Sequence, residues 1–443
     1  MNAHVNHDPQ RPPSDDVVTP ADVIQLNISQ VQARQILDSR GYPTIQVTLH
    51  LEGGGSVEAA TPAGASTGAH EAVELRDGGG PFGGRGVRQA VAAAEGELAT
   101  LLTGRSWPSL ADLDAAMREL DGTETLSRLG GNTIVGLSMA AARGFAALDR
   151  IPLHTWIASQ THSLERLPVP HFNVLNGGAH ASNDLVFQEF MIAPIGAGTF
   201  ENALEWGAEI YHALAFRVKR QFGTAGLGDE GGFAPPIAQP EQALDLLIAA
   251  ISDAGYTAST DQVAIALDPA ANGFRADPGY ELPRGAVSTD ELLDYYVRLV
   301  DTYPIWSIED GFAEDDIPGW VAQYSRLGDR IQLVGDDLYV TDPMRIAAGA
   351  ADHLSNSVLI KPNQIGTVTQ TFEAIRVARE NGMTCMISHR SGETLDTFIA
   401  DLAVGAGVGQ IKSGAPARGE RVGKYNRLAE IARSQAEVPY GLY

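Results

Sequence analysis

Six short apolar runs in the second half of the chain each end in a residue that can ionise. The run 263–267 ends at Asp268, 305–308 at Glu309 and 331–335 at Asp336. The run 357–360 ends at Lys361, 385–388 at His389 and 408–411 at Lys412. Asp268, Glu309 and Asp336 offer three hard oxygen donors. Magnesium favours a few carboxylates completed by water and substrate oxygens. Zinc calls for His or Cys, and neither is in this set. The competing reading pairs these acids with Lys361 and Lys412 as salt bridges, and the two readings are compatible. A lysine normally titrates near ~10.4, so it serves as a base only where neighbouring cations disfavour its charged form. Beside a second lysine and a bound cation, Lys361 suits proton removal from a weakly acidic carbon. Arg390 and Ser391, directly after His389, offer donors to a phosphate.

The elements that must position these groups follow from their spacing. The six charged residues fall 41, 27, 25, 28 and 23 positions apart. Such intervals accommodate a strand, a loop and a helix, the repeating unit of a parallel barrel. One intervening helix is plain at 241–254, with Leu244, Leu247 and Ile251 on one face, Pro240 before it and Gly255 after it. In a (β/α) barrel the carboxyl ends of the strands share one mouth, so six ionisable residues in phase converge there.

The first half reads differently. Residues 31–51 read as strand, 53–55 as a glycine turn and 57–60 as a returning strand. A Gly-rich loop (62–68) and an irregular stretch (78–84) precede Ala-rich helical segments reaching about Asp149. The predicted fold class is thus α/β, a (β/α)8-type barrel preceded by an N-terminal α+β capping domain. The predicted divisions are a disordered polar tail at 1–26, the cap at 27–165 and the catalytic barrel at 166–443.

Composition removes several function classes. The 443 residues carry a net charge of −24, from 55 acidic and 31 basic side chains. That surface repels nucleic-acid backbones, although local cations can still bind an anion inside a cleft. No apolar run approaches the roughly 20 residues of a membrane span. A lone cysteine, Cys385, rules out an internal disulfide framework and suits a reducing cytoplasm. Its apolar surroundings (383–387) predict a buried thiol rather than a nucleophile.

The motifs then resemble one family. The strings Asp38-Ser39-Arg40-Gly41, Gly64-Ala65-Ser66-Thr67-Gly68, Asn176-Gly177-Gly178-Ala179-His180 and Gln188-Glu189-Phe190-Met191 are similar to those of enolase. So are Gly228-Asp229-Glu230-Gly231-Gly232, Ser307-Ile308-Glu309-Asp310 and Gly335-Asp336-Asp337-Leu338. Lys361-Pro362-Asn363-Gln364-Ile365-Gly366, Ser388-His389-Arg390-Ser391-Gly392-Glu393 and Gln410-Ile411-Lys412-Ser413-Gly414 complete a series in family order from about 31 to 425.

The resemblance implies a barrel whose first strands depart from strict βα order. It implies magnesium-dependent dehydration of 2-phospho-D-glycerate, with two magnesium ions per site. Asp268, Glu309 and Asp336 would hold the first ion, and Ser66 would help complete the second. Lys361 would take the C2 proton, a Lys-plus-magnesium pattern general to the enolase superfamily. Glu230, assisted by Glu189, would protonate the departing hydroxyl. His180 and Gln188 would orient substrate and loop, Arg390 and Ser391 bind phosphate, Lys412 bind carboxylate, and His389 stand beside phosphate or hydroxyl. A homodimer or higher homo-oligomer is implied as well.

The chain departs from the family pattern at Tyr42, Gln46, Asn272-Gly273 and the stretch 427–433. Two alternatives therefore stay open. One is an enolase-like paralogue of phosphonate or phosphinate biosynthesis, such as carboxyphosphonoenolpyruvate synthase. The other is a non-catalytic binding or structural protein on the same scaffold.

Overall fold

The computed structural model describes residues 25–64, 70–224 and 226–442. The predicted tail therefore lies outside the described residues up to position 24. Leu26, assigned to that tail from sequence, is fully buried and exchanges backbone hydrogen bonds with Trp107. The packed cap includes it.

The cap opens with an antiparallel three-stranded sheet, β1 (Ile28–Leu37), β2 (Pro43–Leu51) and β3 (Ser56–Ala60). The single strand predicted at 31–51 is thus two. Asp38 breaks it, because one carboxylate oxygen accepts from the backbone N–H of both Arg40 and Tyr42, at 2.9 and 2.8 Å. Such a side chain offers the backbone a turn in place of the ladder. Helix α1 (Leu110–Asp121) packs against the almost wholly buried α2 (Gly131–Asp149), which lies on β2 and β3.

Eight strands make the barrel: β4 (Val169–Asn176), β5 (Glu189–Ala193), β6 (Ala264–Asp268), β7 (Ile305–Glu309), β8 (Gln332–Gly335), β9 (Ser357–Ile360), β10 (Thr384–Ser388) and β11 (Gln410–Lys412). They neighbour one another in chain order, and β11 pairs with β4 to close the ring. Seven are parallel, while β5 runs antiparallel to β4 and β6. The predicted departure from βα order is this reversal. Every residue of β4 to β9 except Trp306 is buried, as strands covered on both faces require. Helices such as α3 (Phe200–Phe222), α4 (Pro240–Asp253), α5 (Val368–Glu380) and α6 (Gly419–Ser434) complete the outer layer. Cys385 lies buried in β10, and burial pushes its thiol up to about 12.

The cap sits on the barrel mouth through specific ties. Ala63 and Gly392 exchange backbone hydrogen bonds at 2.7 and 2.9 Å. Asp396 grips Arg143 of α2 through both carboxylate oxygens, at 2.9 and 2.7 Å. At the cap's edge, Gln46 binds Arg34 and Glu58 of its own sheet, and Tyr42 lies under the guanidinium of Arg85. Arg427 on α6 pairs with Asp401 and Glu430.

Candidate active site

Strand polarity decides which residues reach the mouth. In β6 to β11 the charged residue stands at or just after the carboxyl end, as the sequence pattern predicts. In the reversed β5 the mouth lies at the amino end, so Glu189, its first residue, pairs in register with Asp268, the last of β6.

Lys412 is the centre of one ionic cluster. Its ammonium lies 2.8 Å from both oxygens of Glu309 and 3.2 Å from Asp268 Oδ2 and Glu189 Oε2. Burial opposes its charge, but the three carboxylates outweigh burial and hold its pKa well above the usual range. Lys361 reaches Asp336 Oδ2 at 2.5 Å, and Gln364 donates to the other oxygen at 2.9 Å. Burial draws Lys361 down, yet Asp336 leaves it raised overall. Asp336 moves the other way: burial pushes it up, and Lys361 brings it below the usual value.

These acids fit a divalent cation. A single ammonium meets Glu189, Asp268 and Glu309, so negative charge exceeds what it can balance. Glu309 is accordingly pushed well above the carboxylate range, by burial first and then by the Asp268 charge. Oxygen-only donors with surplus buried charge are what magnesium requires. Ser66 lies outside the described residues. Asp310, next to Glu309, adopts φ +41° and accepts from the backbone N–H of Asp336 and Asp337, both at 2.9 Å. A non-glycine residue held in that region marks a conformation fixed by its surroundings. Asp337, pushed up to about 7 by burial and by Asp336, takes a hydrogen bond from Asn272, one of the family departures.

The second cluster gathers His180, Glu189 and Glu230, whose ligand-type atoms lie within 4.8 Å of one another. Glu230 stands on a tight turn whose glycines are dictated by Asn176. A Cβ at Gly228 or Gly232 would lie 2.5 Å from the Asn176 side-chain oxygen. Asn173 donates to Glu230 Oε2 at 2.9 Å, and His389 Nε2 lies 3.1 Å from the same oxygen. The two carboxyls are pushed apart. Burial and the neighbouring Glu230 charge raise Glu189 well above its usual range. Burial also pushes Glu230 up, but His389, His180 and Arg421 outweigh it and hold Glu230 well below. His389 is itself lowered to about 4, chiefly by burial, and is neutral at pH 7. At that pH the hold on Glu230 is therefore hydrogen bonding and the Arg421 charge, not a full His389 cation.

Arg390 is buried and pairs with Glu71 at 2.9 Å and with Asn363 Oδ1 at 3.1 Å. The Ser391 hydroxyl accepts from Arg40 of the cap at 3.2 Å. Gln188 borders Asp268 at 3.5 Å. His180, Gln188, Glu189, Glu230, Asp268, Asp336, Lys361, His389, Arg390, Ser391 and Lys412 all line one cavity, with Glu309 directly behind Lys412. Sequence reasoning missed Glu71, Asn173, Gln364 and Arg421. Only Gln364, inside a quoted motif, carried a signal that spacing analysis could have used.

Two family models match the chain: "Enolase, N-terminal domain" over residues 28–157 and "Enolase, C-terminal TIM barrel domain" over 164–440. They correspond to the cap and the barrel, and the chain belongs to the enolase family, a family of metal-dependent enzymes.

Proposed function

We propose that this enzyme dehydrates 2-phospho-D-glycerate to phosphoenolpyruvate, a carbon–oxygen lyase reaction of glycolysis and gluconeogenesis. One observation carries the reading. Lys361 follows β9 and Glu189 opens β5, four strands apart in a ring of eight, so a base and a carboxyl pair face each other across one cavity. Elimination of a proton and a hydroxyl from adjacent carbons needs that opposition.

In the proposed mechanism Lys361 Nζ takes the C2 proton. The Glu189–Glu230 pair supplies a proton to the C3 hydroxyl as it departs: Glu189, the carboxyl raised well above its usual range, holds that proton, and Glu230 passes it on to the leaving oxygen. Lys412 meets the substrate carboxylate, Arg390 and Ser391 the phosphate, and His180 and Gln188 orient substrate, with His389 beside Glu230. Asp268, Glu309 and Asp336 would hold magnesium, and Ser66 would join a second ion. Bound there, magnesium would supply positive charge against the charge gathering on the substrate carboxylate, and would relieve Lys361 of Asp336. A cytoplasmic homodimer or larger homo-oligomer belongs to the same proposal, supported by family membership and the single reduced cysteine.

The test is turnover of 2-phospho-D-glycerate with magnesium, followed by phosphoenolpyruvate absorbance. Chelator should abolish it, and Lys361→Ala should lower kcat by about 10²- to 10⁴-fold or more. No turnover by folded, magnesium-loaded protein would overturn the proposal and direct attention to phosphonate and phosphinate substrates.

A further inference from the structure

Behind the cavity lies a guanidinium that no step above uses. Arg421, on α6, is fully buried. One terminal nitrogen lies 2.5 Å from His389 Nδ1 and 2.6 Å from the Arg390 carbonyl. The other donates to the carbonyls of Ser391 at 2.6 Å and Asp229 at 3.3 Å, and to Ser39 Oγ at 3.4 Å. An arginine side chain has donors only and does not lose its proton in proteins. The ring nitrogen facing it must therefore be an acceptor.

We propose that Arg421 is a positioning residue that fixes His389 as the neutral tautomer protonated on Nε2, and thereby aims a donor at Glu230 Oε2. The inference rests on the dehydratase reading only for its catalytic consequence. The reverse tautomer would set two N–H groups against each other at 2.5 Å, and an imidazolium would add a second buried cation beside the first. With Nδ1 an acceptor, the remaining proton sits on Nε2, 3.1 Å from Glu230 Oε2. Its N–H is not yet squarely aligned in the structure, since Nε2 falls short of a full hydrogen bond. Catalytic hydrogen bonds commonly tighten only with substrate in place. Asn173 donates to the same Oε2. Oε1, which faces His180 at 3.7 Å, is thereby left as the oxygen that carries the transferred proton. Orientation of a working imidazole through its second nitrogen is a general device.

Nitrogen-15 NMR of histidine-labelled enzyme tests the tautomer without recourse to activity, with the His389 signals assigned by their loss in His389→Gln. The expected spectrum shows Nδ1 unprotonated and Nε2 protonated from about pH 5 to 8. Arg421→Lys, which keeps charge and a donor, should preserve that pattern. Arg421→Met removes the donor that requires an acceptor at Nδ1, so the Nδ1-protonated tautomer should appear in the spectrum, and kcat should fall about ten- to a hundredfold at little change in KM. Protonated Nδ1 in the wild-type spectrum, or titration of wild-type His389 near neutrality, would overturn the proposal even if the enzyme turns over 2-phospho-D-glycerate. The wild-type spectrum decides the matter should Arg421→Met fail to fold.

Discussion

Two lysines and two glutamates at the mouth are distinguished by what each touches. Lys412 is locked by three carboxylates, whereas Lys361 depends on one close acid partner, Asp336. That difference suits Lys412 to hold charge in place and Lys361 to exchange a proton. Asp336 thus has two duties, as a cation ligand and as the partner of the base. Asp336→Asn should weaken magnesium binding by at least about tenfold, or 1.4 kcal/mol, since it removes a formal charge from the donor set. Titration calorimetry with magnesium reads this directly, and unchanged affinity would remove Asp336 from the ligand set. The sequence announced Lys361, Lys412 and Asp336 because each ends an apolar run. It was silent on Glu71 and Asn173, whose roles come from chain segments brought together only by folding.

Among the elements, α5 shows how cap and barrel share one problem. Its first backbone N–H groups are capped by the cap domain: Val368 donates to Ser138 of α2, and Thr369 donates to Asp114 of α1 at 3.0 Å. Asp114 is 1 % exposed, and burial pushes its carboxyl up to about 6. Its pKa is higher folded than unfolded, so its ionised form is penalised. The penalty is absent below about pH 4, grows between pH 4 and 6, and is complete above. Asp114→Asn keeps an acceptor for Thr369 and should stabilise the protein above about pH 6 by up to ~3 kcal/mol, with no gain below pH 4. Denaturant unfolding at the two pH values measures it; equal effects at both would refute the ionisation argument. Strand phase and spacing made β6 to β11 legible in the sequence. The reversed β5 escaped the same template, because its mouth-facing residue begins the strand. The turn at Asp38 escaped too, because a side-chain hydrogen bond overrides the β pattern around it.

For the whole molecule, the question is what holds the cap on the mouth. The Asp396–Arg143 pair joins the loop before the barrel's penultimate outer helix (Phe398–Gly405) to the buried α2, and Asp396 also accepts from Ala60 and Phe398 N–H at 3.0 and 2.8 Å. Burial pushes Asp396 up, but Arg143 and these hydrogen bonds bring its pKa below the ordinary 3.8. Its folded pKa is therefore depressed. The stabilisation is full above the unfolded value near ~4 and fades as pH falls through the folded value. Asp396→Asn should cost about 1–3 kcal/mol near neutrality, where it leaves the half-buried Arg143 without its charge partner, and progressively less as pH falls below about 4. The barrel and its cap were readable from charge spacing and glycine-rich punctuation. The ties between them were not, since pairs such as Asp396 and Arg143 are 253 positions apart.

The central claim is that Lys361 removes a carbon-bound proton while the Glu189–Glu230 pair serves a separate, later departure. Solvent deuterium exchange at C2 of 2-phospho-D-glycerate, followed by proton NMR in magnesium buffer, separates the two steps. The expected result is exchange retained by Glu230→Gln, which loses net dehydration, and exchange lost by Lys361→Ala. Exchange persisting in Lys361→Ala would contradict the assignment of Lys361 as the base.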